Sequence, residues 1–478
     1  MISYESNPRR LQKETEAAAA PCVRNLTNWP EAVQEIRTWP EYESQPLRSL
    51  PVAAKELGMA SLLFKDESQR FGTDLGSFKA LGAPYALYKI LAQEVHSKVG
   101  VYPSSADLRG SKYRQITQQM TVCVSTDGNQ GRSLAYGAQI FGCSCLIYIH
   151  KDVSIGRAQK MRDLGAITIR VNGDHKASLD RAKEDARMND WNFVSSTSWD
   201  DFDGEISQSV INAYMMVVDE AISAIENVHH ITHVLVCGGM GSISSRIFLG
   251  FYQHFQNLQL DPTEAIKLPR FVVIEPSEAN ALLESVRDGS PQPSKGSLNT
   301  LMAGLACRAP SPAAWKVLSW LASDFVSVPD SVSVNGMKAL ADGQKQKDVP
   351  VLCGESSAAT MGVLMEASKD TLLREKLGLD VDSQVVLFGL EGATDPEMYQ
   401  KLVVKQNSVP KRLTDGLRYG SKGYFLELTF KVQEKAIKKA SNTPYALAAV
   451  EFTEKMMVDC VQVVAQKPQA DMVWINSS

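Results

Sequence analysis

From residue 120 onward, short apolar runs alternate with longer stretches of helical periodicity. Residues 120–125 (Met-Thr-Val-Cys-Val-Ser) predict a strand, 127–131 a turn, and 132–141 a helix that Gly142 ends. A strand at 145–149, a helix at 155–164, a strand at 167–171, a helix at 179–190 and a strand at 192–194 follow. A second series begins with a long helix at 206–226 and a strand at 233–237. It continues with a helix from Ser242 through 251, a strand at 270–274, a helix at 315–321, and strands at 325–328 and 385–388. Continuous apolar runs separated by helices predict parallel sheets covered on both faces, hence an α/β fold.

Before residue 120 the pattern is less regular. Residues 51–57 predict a helix, with Pro51 at its start and Gly58 as its stop. Residues 60–65 predict a strand. Helical periodicity runs from Lys79 to 91, and Pro84 either kinks its first turns or begins its regular part. Residues 1–45, broken by Pro21, Pro30 and Pro40, read as an irregular lead-in with one short helix at 31–38. Residues 109–118 read as polar and exposed. From 411 the character changes, with a strand-like run at 424–432 and helical periodicity at 446–464. That tail is too apolar for disorder and is expected to pack on the body or on a second subunit.

A chain of 478 residues suits two or three domains and a large core. Its 44% hydrophobic and 22% charged residues are those of a soluble globular protein. A net charge of -4 gives no bulk electrostatic case for nucleic acid or an anionic membrane. No run is long and apolar enough to span a bilayer, and Met1-Ile-Ser-Tyr-Glu-Ser6 lacks the pattern of a secretory signal. The eight cysteines are scattered and suggest reduced thiols rather than a disulfide framework. The expectation is a cytoplasmic protein. Cys143-Ser-Cys145 lacks a second ligand pair at a zinc-site spacing, so no metal is expected. His229, His230 and His233 read as the exposed beginning of a strand.

Three segments carry candidate chemistry. In Phe71-Gly-Thr-Asp-Leu-Gly-Ser-Phe-Lys-Ala-Leu-Gly82, Lys79 sits at the expected start of a helix. The helix dipole there disfavours the protonated amine and helps it act as nucleophile and base. Gly238-Gly-Met-Gly-Ser242 follows an apolar strand and precedes a helix, so its backbone N–H groups suit a phosphate and Ser242 adds a hydroxyl. It is neither Gly-x-Gly-x-x-Gly nor a P-loop, which disfavours nicotinamide cofactors and nucleotides. Ser125-Thr-Asp-Gly-Asn-Gln-Gly131 lies at the carboxyl end of a strand, where open α/β sheets bind ligands. Asn129 suits a cofactor ring oxygen, and Ser125, Thr126 and nearby backbone groups suit a substrate carboxylate. Asp127 reads either as an acid/base or as a solvated turn residue capping the next helix. Together the segments supply a lysine for a Schiff base, a phosphate cradle and a ring contact. Those are parts that a pyridoxal phosphate site needs from its protein.

The chain resembles the diaminopropionate ammonia-lyase family of the tryptophan-synthase-β-like, fold type II pyridoxal phosphate enzymes. The resemblance runs from Lys65 to about Val403. It rests on Lys65-Asp-Glu-Ser-Gln-Arg-Phe-Gly72, Gly76-Ser-Phe-Lys-Ala-Leu-Gly82, Thr126-Asp-Gly-Asn129 and Gly238-Gly-Met-Gly-Ser242. It rests further on Glu275-Pro276, Leu301-Met-Ala-Gly-Leu-Ala-Cys307, Gly354-Glu-Ser-Ser357 and Glu391-Gly-Ala-Thr-Asp-Pro396. The resemblance implies two open, twisted, mostly parallel-sheet domains with helices on both faces. The larger would comprise 1–83 and 206–410, the smaller 84–205, with 411–478 as a C-terminal extension. It implies Lys79 as the Schiff-base lysine and Asn129 at the ring hydroxyl. Gly238, Gly239, Met240, Gly241 and Ser242 would hold the phosphate. Asp127 would be a second acid/base, on the cofactor face opposite Lys79. The implied reaction is α,β-elimination of ammonia from a small amino acid such as 2,3-diaminopropionate, ending in pyruvate and a second ammonia. A homodimer is also implied.

Three positions depart from the family pattern. Ser196, in Ser195-Ser-Thr-Ser-Trp199, stands where the family has a carboxylate, and a serine does not pair with an ammonium. Gly389-Leu390 stands where the family has Ser-Thr, removing a hydroxyl expected near the ring nitrogen. Gln130 replaces a histidine. Two further readings therefore stay open. One is a diverged enzyme on the same scaffold doing β-replacement, epimerisation or carbon–carbon bond formation. The other is a pyridoxal-phosphate-binding protein with little catalysis, acting through its tail on a partner.

Overall fold

The structure, a computed structural model, describes residues 2–24, 29–126, 128–195, 204–257 and 267–404, leaving aside the side chains of 344–346. Asp127, Ser196 and the elements expected at 424–432 and 446–464 lie outside the described residues.

Eleven strands are described: β1 (Ser3–Ser6), β2 (Leu47–Ser49), β3 (Ser61–Asp66), β4 (Thr121–Ser125), β5 (Ser144–His150), β6 (Ile167–Val171), β7 (Asn192–Phe193), β8 (His233–Cys237), β9 (Arg270–Pro276), β10 (Asp324–Val328) and β11 (Gln384–Gly389). They form two sheets. The larger runs β1-β10-β9-β8-β11-β3-β2 and the smaller β6-β5-β4-β7. The smaller is parallel throughout. The larger is parallel except at its edges, where β1 and β2 pair antiparallel with β10 and β3. The inner strands β8, β10 and β11 are buried almost end to end, as strands with helices on both faces must be. In β11, Val385 lies beside Leu62 on one flank and His233 on the other.

Three helices pack together. Lys79–Val99 packs against both Asn129–Phe141 and Glu205–Ala224. No helix among the described residues is long and apolar enough to cross a membrane. No disulfide links the seven cysteines of the described residues.

The lead-in is more ordered than its composition suggests. Ser-Tyr-Glu-Ser has no apolar alternation, yet it forms β1, because the exposed edge of β10 supplies its backbone partners. Lys13–Arg24 is a helix with Pro21 inside it and with Ala19 and Cys22 buried. The alanine run at 17–20 has the strongest helix propensity and outweighs the hydrogen bond that proline removes. Residues 109–118 are not wholly exposed either. Two short helices end at Arg109 and Thr117, and both Tyr113 and Thr117 are buried. The Arg109 guanidinium lies over the rings of Trp39 and Phe141 and pairs with Glu41, so a polar stretch still packs. His233 is buried, and its ring nitrogens bond Thr232 Oγ1 at 2.7 Å and the Leu377 carbonyl at 3.0 Å. Pro84 sits inside the regular helix, near its start.

The motif Lys65-Asp-Glu-Ser-Gln-Arg70 ends β3 in a fully buried network of charges. Lys65 Nζ donates to Glu67 at 2.8 Å and to Glu220 at 2.7 Å. Arg70 donates to Glu67 at 2.9 and 3.0 Å, and to Glu220 at 2.7 and 3.0 Å. The Tyr42 hydroxyl and the Gln45 backbone N–H complete Glu220. Two cations meet two carboxylates, and the four groups tie β3 to the Glu205–Ala224 helix. Burial would raise the Glu67 carboxyl, but Arg70 and Lys65 override it and hold it down to about 2.

Candidate functional site

The glycine turn, the Lys79 segment and the exits of β4 and β11 meet at the carboxyl ends of the parallel strands, where ligands bind in such sheets. Lys79 is the first residue of its helix. The chain just before it is stitched to the exit of β11. Phe78 N donates to Leu390 O at 3.0 Å, Gly392 N donates to Gly76 O at 2.9 Å, and Ser77 bridges Glu391. The Lys79 carbonyl accepts from Ser133 Oγ at 2.6 Å, which fixes this turn to the Asn129–Phe141 helix. The Lys79 ammonium lies 5.3 Å from the centre of the Phe78 ring.

From β8 the chain enters Gly238-Gly-Met-Gly and then the Ser242–Asn257 helix. Gly239 at φ +59 and Gly241 at φ +89 adopt a backbone that other residues resist. A side chain at Gly241 would also stand 2.8 Å from Leu318 Cδ1. Gly238 N is tied to Ile274 O at 2.7 Å, so the turn is anchored on β9.

This turn, Lys79 and Tyr214 face a cavity of about 90 Å³. Four buried polar atoms on its lining residues have no hydrogen-bond partner among the described residues: Ser242 Oγ, Ser356 Oγ, Tyr214 OH and Glu391 Oε1. Leaving such a group unsatisfied costs about 1–3 kcal/mol, so four around one small cavity fit a polar ligand. A phosphate at the helix N-terminus and a ring with polar edges match both the glycine turn and the orphaned hydroxyls. The residues present therefore fit pyridoxal phosphate.

A larger cavity of about 730 Å³ adjoins it and shares Lys79, Asn129, Met240, Cys307 and Glu391. Asn129 is the first residue of its helix, three residues earlier than the apolar pattern suggested. Its side chain is already engaged. Nδ2 donates to Glu391 Oε2 at 2.7 Å and to Ser77 Oγ at 3.4 Å, and Oδ1 accepts from Arg132. Ser125 ends β4 and lines the cavity, but its hydroxyl meets Ser178 Oγ at 2.8 Å. Thr126 Oγ1 accepts from Gly128 N at 3.3 Å and holds the turn. Gln130 lines the cavity with both amide atoms buried and unpartnered. The chain neighbours of Asp127 and Ser196, namely Thr126, Gly128 and Ser195, also line it. Burial, with Glu391 beside it, pushes the Glu355 carboxyl up to about 8.

Lys79, Asn129, Met240, Gly238, Gly239 and Ser242 are thus brought together, with Ser125 and Thr126 further along the same wall. Tyr214, Ser356, Glu355 and Arg132 join them without having been singled out as site residues. Glu355 and Ser356 lay within Gly354-Glu-Ser-Ser357, a motif already visible in the chain. Tyr214 left no signal, because an aromatic on a buried helix reads as core.

The departure at Gly389 has a steric basis. A Cβ there would stand 2.2 Å from the Phe64 ring, so the ring occupies the space a side chain would need.

A family model described as "Pyridoxal-phosphate dependent enzyme" matches residues 38–390. The diaminopropionate ammonia-lyase of Salmonella typhimurium is 30% identical over 410 residues, covering 84% of this chain and 98% of that one. Its Escherichia coli counterpart is 31% identical over 369 residues, covering 76% and 87%. The crystal structure of the Escherichia coli enzyme in complex with D-serine superposes with a TM-score of 0.71 at 26% identity, covering 85% of this chain and 97% of that one. The holo form of the same enzyme gives 0.71 at 27% identity, with the same coverage.

Proposed function

The chain belongs to the pyridoxal-phosphate dependent enzymes of fold type II, and from that premise we propose that it catalyses α,β-elimination on a small amino acid. The products would be a 2-oxo acid and ammonia. 2,3-Diaminopropionate, for which the relatives above are named, is the first substrate to assay and would give pyruvate and two ammonia. The observation that carries this reading is the convergence of Lys79, the glycine turn and four unpartnered polar atoms on one small cavity, which opens beside a substrate-sized one.

When bound, the cofactor withdraws electrons from the substrate's α-carbon and so eases loss of the α-proton and of the β-substituent. The chain's own residues do the rest. Lys79 is the covalent attachment point and moves a proton at Cα. Asp127 is a second acid/base for the opposite face. Gly238, Gly239, Met240, Gly241 and Ser242 bind the phosphate. Asn129 orients the ring through its hydroxyl edge, and Glu391 and Ser77 hold that amide in place. Ser125 and Thr126 position the substrate carboxylate, and Ser196 is the residue assigned to contact the substrate's side chain.

Purified protein tests the reading. It should show a cofactor absorbance band that Lys79→Ala abolishes, and the absence of any band from both proteins would sink the reading. Asp127→Asn should lower turnover by a factor on the order of 10²–10⁴, the usual contribution of a positioned acid/base. Pyruvate release from D- and L-2,3-diaminopropionate distinguishes elimination from the second reading, β-replacement or another reaction on the same scaffold. The unpartnered Gln130 and the serine at 196 favour that second reading. It would prevail if both isomers were inert while another amino acid changed the absorbance. Sedimentation should report a homodimer.

A further inference from the structure

One wall of the larger cavity carries an excess of positive charge. Arg132, Arg157 and Lys160 line it together. Arg132 is only 4% exposed, yet its guanidinium meets the Asp74 carbonyl at 2.9 Å and the Asn129 amide oxygen, both neutral. Lys160 Nζ meets the Thr394 carbonyl at 3.0 Å, another neutral acceptor. Among the described residues, neither Arg132 nor Lys160 makes an ion pair with a carboxylate. Arg157 has a single loose one, to Asp395 at 3.7 Å. The cations also lie near enough to disfavour one another. Burial and then Arg132 and Arg157 lower the Lys160 ammonium, and burial and then Arg157 lower the Arg132 guanidinium; Glu391 acts the other way on Arg132, and Asp74 and Asp395 act the other way on both.

Among the described residues, the carboxylates on the cavity walls offset this charge only in part. Glu391 accepts from Asn129 through Oε2 and leaves Oε1 unpartnered, so it sets one negative charge against the three cations. Glu355, pushed up to about 8, is protonated at neutral pH. Asp174 is engaged as the cap of the His175–Asn189 helix, accepting from Ala177 N. A buried cation without a counter-ion is costly, and an arriving anion removes the cost. An ammonium brought to the same wall would add to the repulsion. The cavity, at about 730 Å³, also has room for a β-substituent larger than an amino group.

We propose that this wall selects a β-substituted amino acid whose leaving group is an anion, held by Arg132, Arg157 and Lys160, in preference to the ammonium of 2,3-diaminopropionate. The inference rests on the elimination reading given above and narrows its substrate class. O-Phospho-L-serine is the probe. Loss of the α-proton and departure of phosphate with the Cβ–O electron pair leave 2-aminoacrylate. Water then replaces its nitrogen, so that O-phosphoserine and water give pyruvate, ammonium and inorganic phosphate. No oxidant or reductant is needed.

The test uses the cofactor-loaded full chain, with O-phospho-L-serine and both isomers of 2,3-diaminopropionate titrated in parallel. Cofactor absorbance reports binding, and pyruvate and inorganic phosphate report turnover. Protection of Lys79→Ala against thermal unfolding gives a readout that needs no turnover. The expected result is half-saturation by O-phospho-L-serine at a concentration at least tenfold below that for diaminopropionate. Lys160→Glu should reverse the ratio, and Lys160→Gln, which keeps a donor for the Thr394 carbonyl, should bring it near unity. L-Aspartate, competing as well as O-phospho-L-serine, supports the proposal with a carboxylate as the anion, and weaker competition supports it with a phosphate. Preference for diaminopropionate in the unaltered chain overturns the proposal, as does an unchanged ratio in both Lys160 variants. A cofactor band that no amino acid alters is a different failure, that of the elimination reading itself.

Discussion

Among the described residues, two groups of charge are built in opposite ways. Lys65, Glu67, Arg70 and Glu220 form a closed quartet in which each charge meets its opposite within hydrogen-bond distance. Arg132, Arg157 and Lys160 share a cavity wall and are met mainly by neutral carbonyl and amide oxygens. The quartet has lost its water, whereas on the wall only Arg132 is buried and Arg157 and Lys160 are half-buried. The quartet is complete without a ligand, and the cavity wall is not. Burial of charge alone therefore does not mark a functional site. The mark is charge whose partners are missing beside an open volume.

Breaking the closed group should give the largest effect. Glu220→Gln leaves Lys65 and Arg70 short of one counter-charge and should cost about 3–5 kcal/mol of stability, read from the urea midpoint. An unchanged midpoint would mean that the quartet adds nothing. Acid comes next. The Glu67 carboxyl lies below its ordinary value, so its contribution is present above pH 4.5 and fades as pH falls towards about 2. Up to about 3 kcal/mol should disappear over that window, on the scale of 1.4 kcal/mol per unit. Glu67→Gln should already lack that share of the pH dependence.

Glu355, on the cavity side, should behave in the opposite sense. Its carboxyl is raised, so the folded state holds the proton, and stability declines as pH rises from 4.5 through about 8. Glu355→Gln should flatten that slope and gain about 1–2 kcal/mol above pH 8, allowing for solvent at the cavity mouth. A slope unaltered by the substitution would place the titration elsewhere. The smallest stability effect should be at Arg132. Arg132→Met trades an unpaired cation for an apolar side chain and should move the midpoint by about 1 kcal/mol or less. Turnover should nonetheless fall by a factor on the order of 10². A destabilisation as large as that from Glu220→Gln would make Arg132 a structural residue and erase the contrast.

Most of the inner architecture was legible because its strands are uninterrupted apolar runs. His233–Cys237 has the same bounds as the expected strand, and Gln384–Gly389 differs by one residue at each end. The misses have a common cause. β1 takes its hydrogen bonds from β10, more than 300 residues away, and the Lys13–Arg24 helix hides behind a proline. The Asn129 and His175 helices begin three and four residues before their apolar pattern does, because their first turns face the cavity and are polar. In the site, motif and spacing pointed to Lys79, Asn129 and the glycine turn. Tyr214 and Arg132 were not legible, since their significance lies in what they fail to touch. A sequence records a side chain's chemistry but not its missing partner.

The contact between Gly389 and Phe64 makes two positions, 325 apart in number but on the neighbouring strands β11 and β3 and two places out of register, into a lock with an order of opening. A serine introduced at 389 alone would drive its Cβ into the ring. Only after Phe64 becomes smaller can a hydroxyl be placed there. A redesign that seeks a hydroxyl at 389 must therefore begin on β3, at a residue that lines neither cavity.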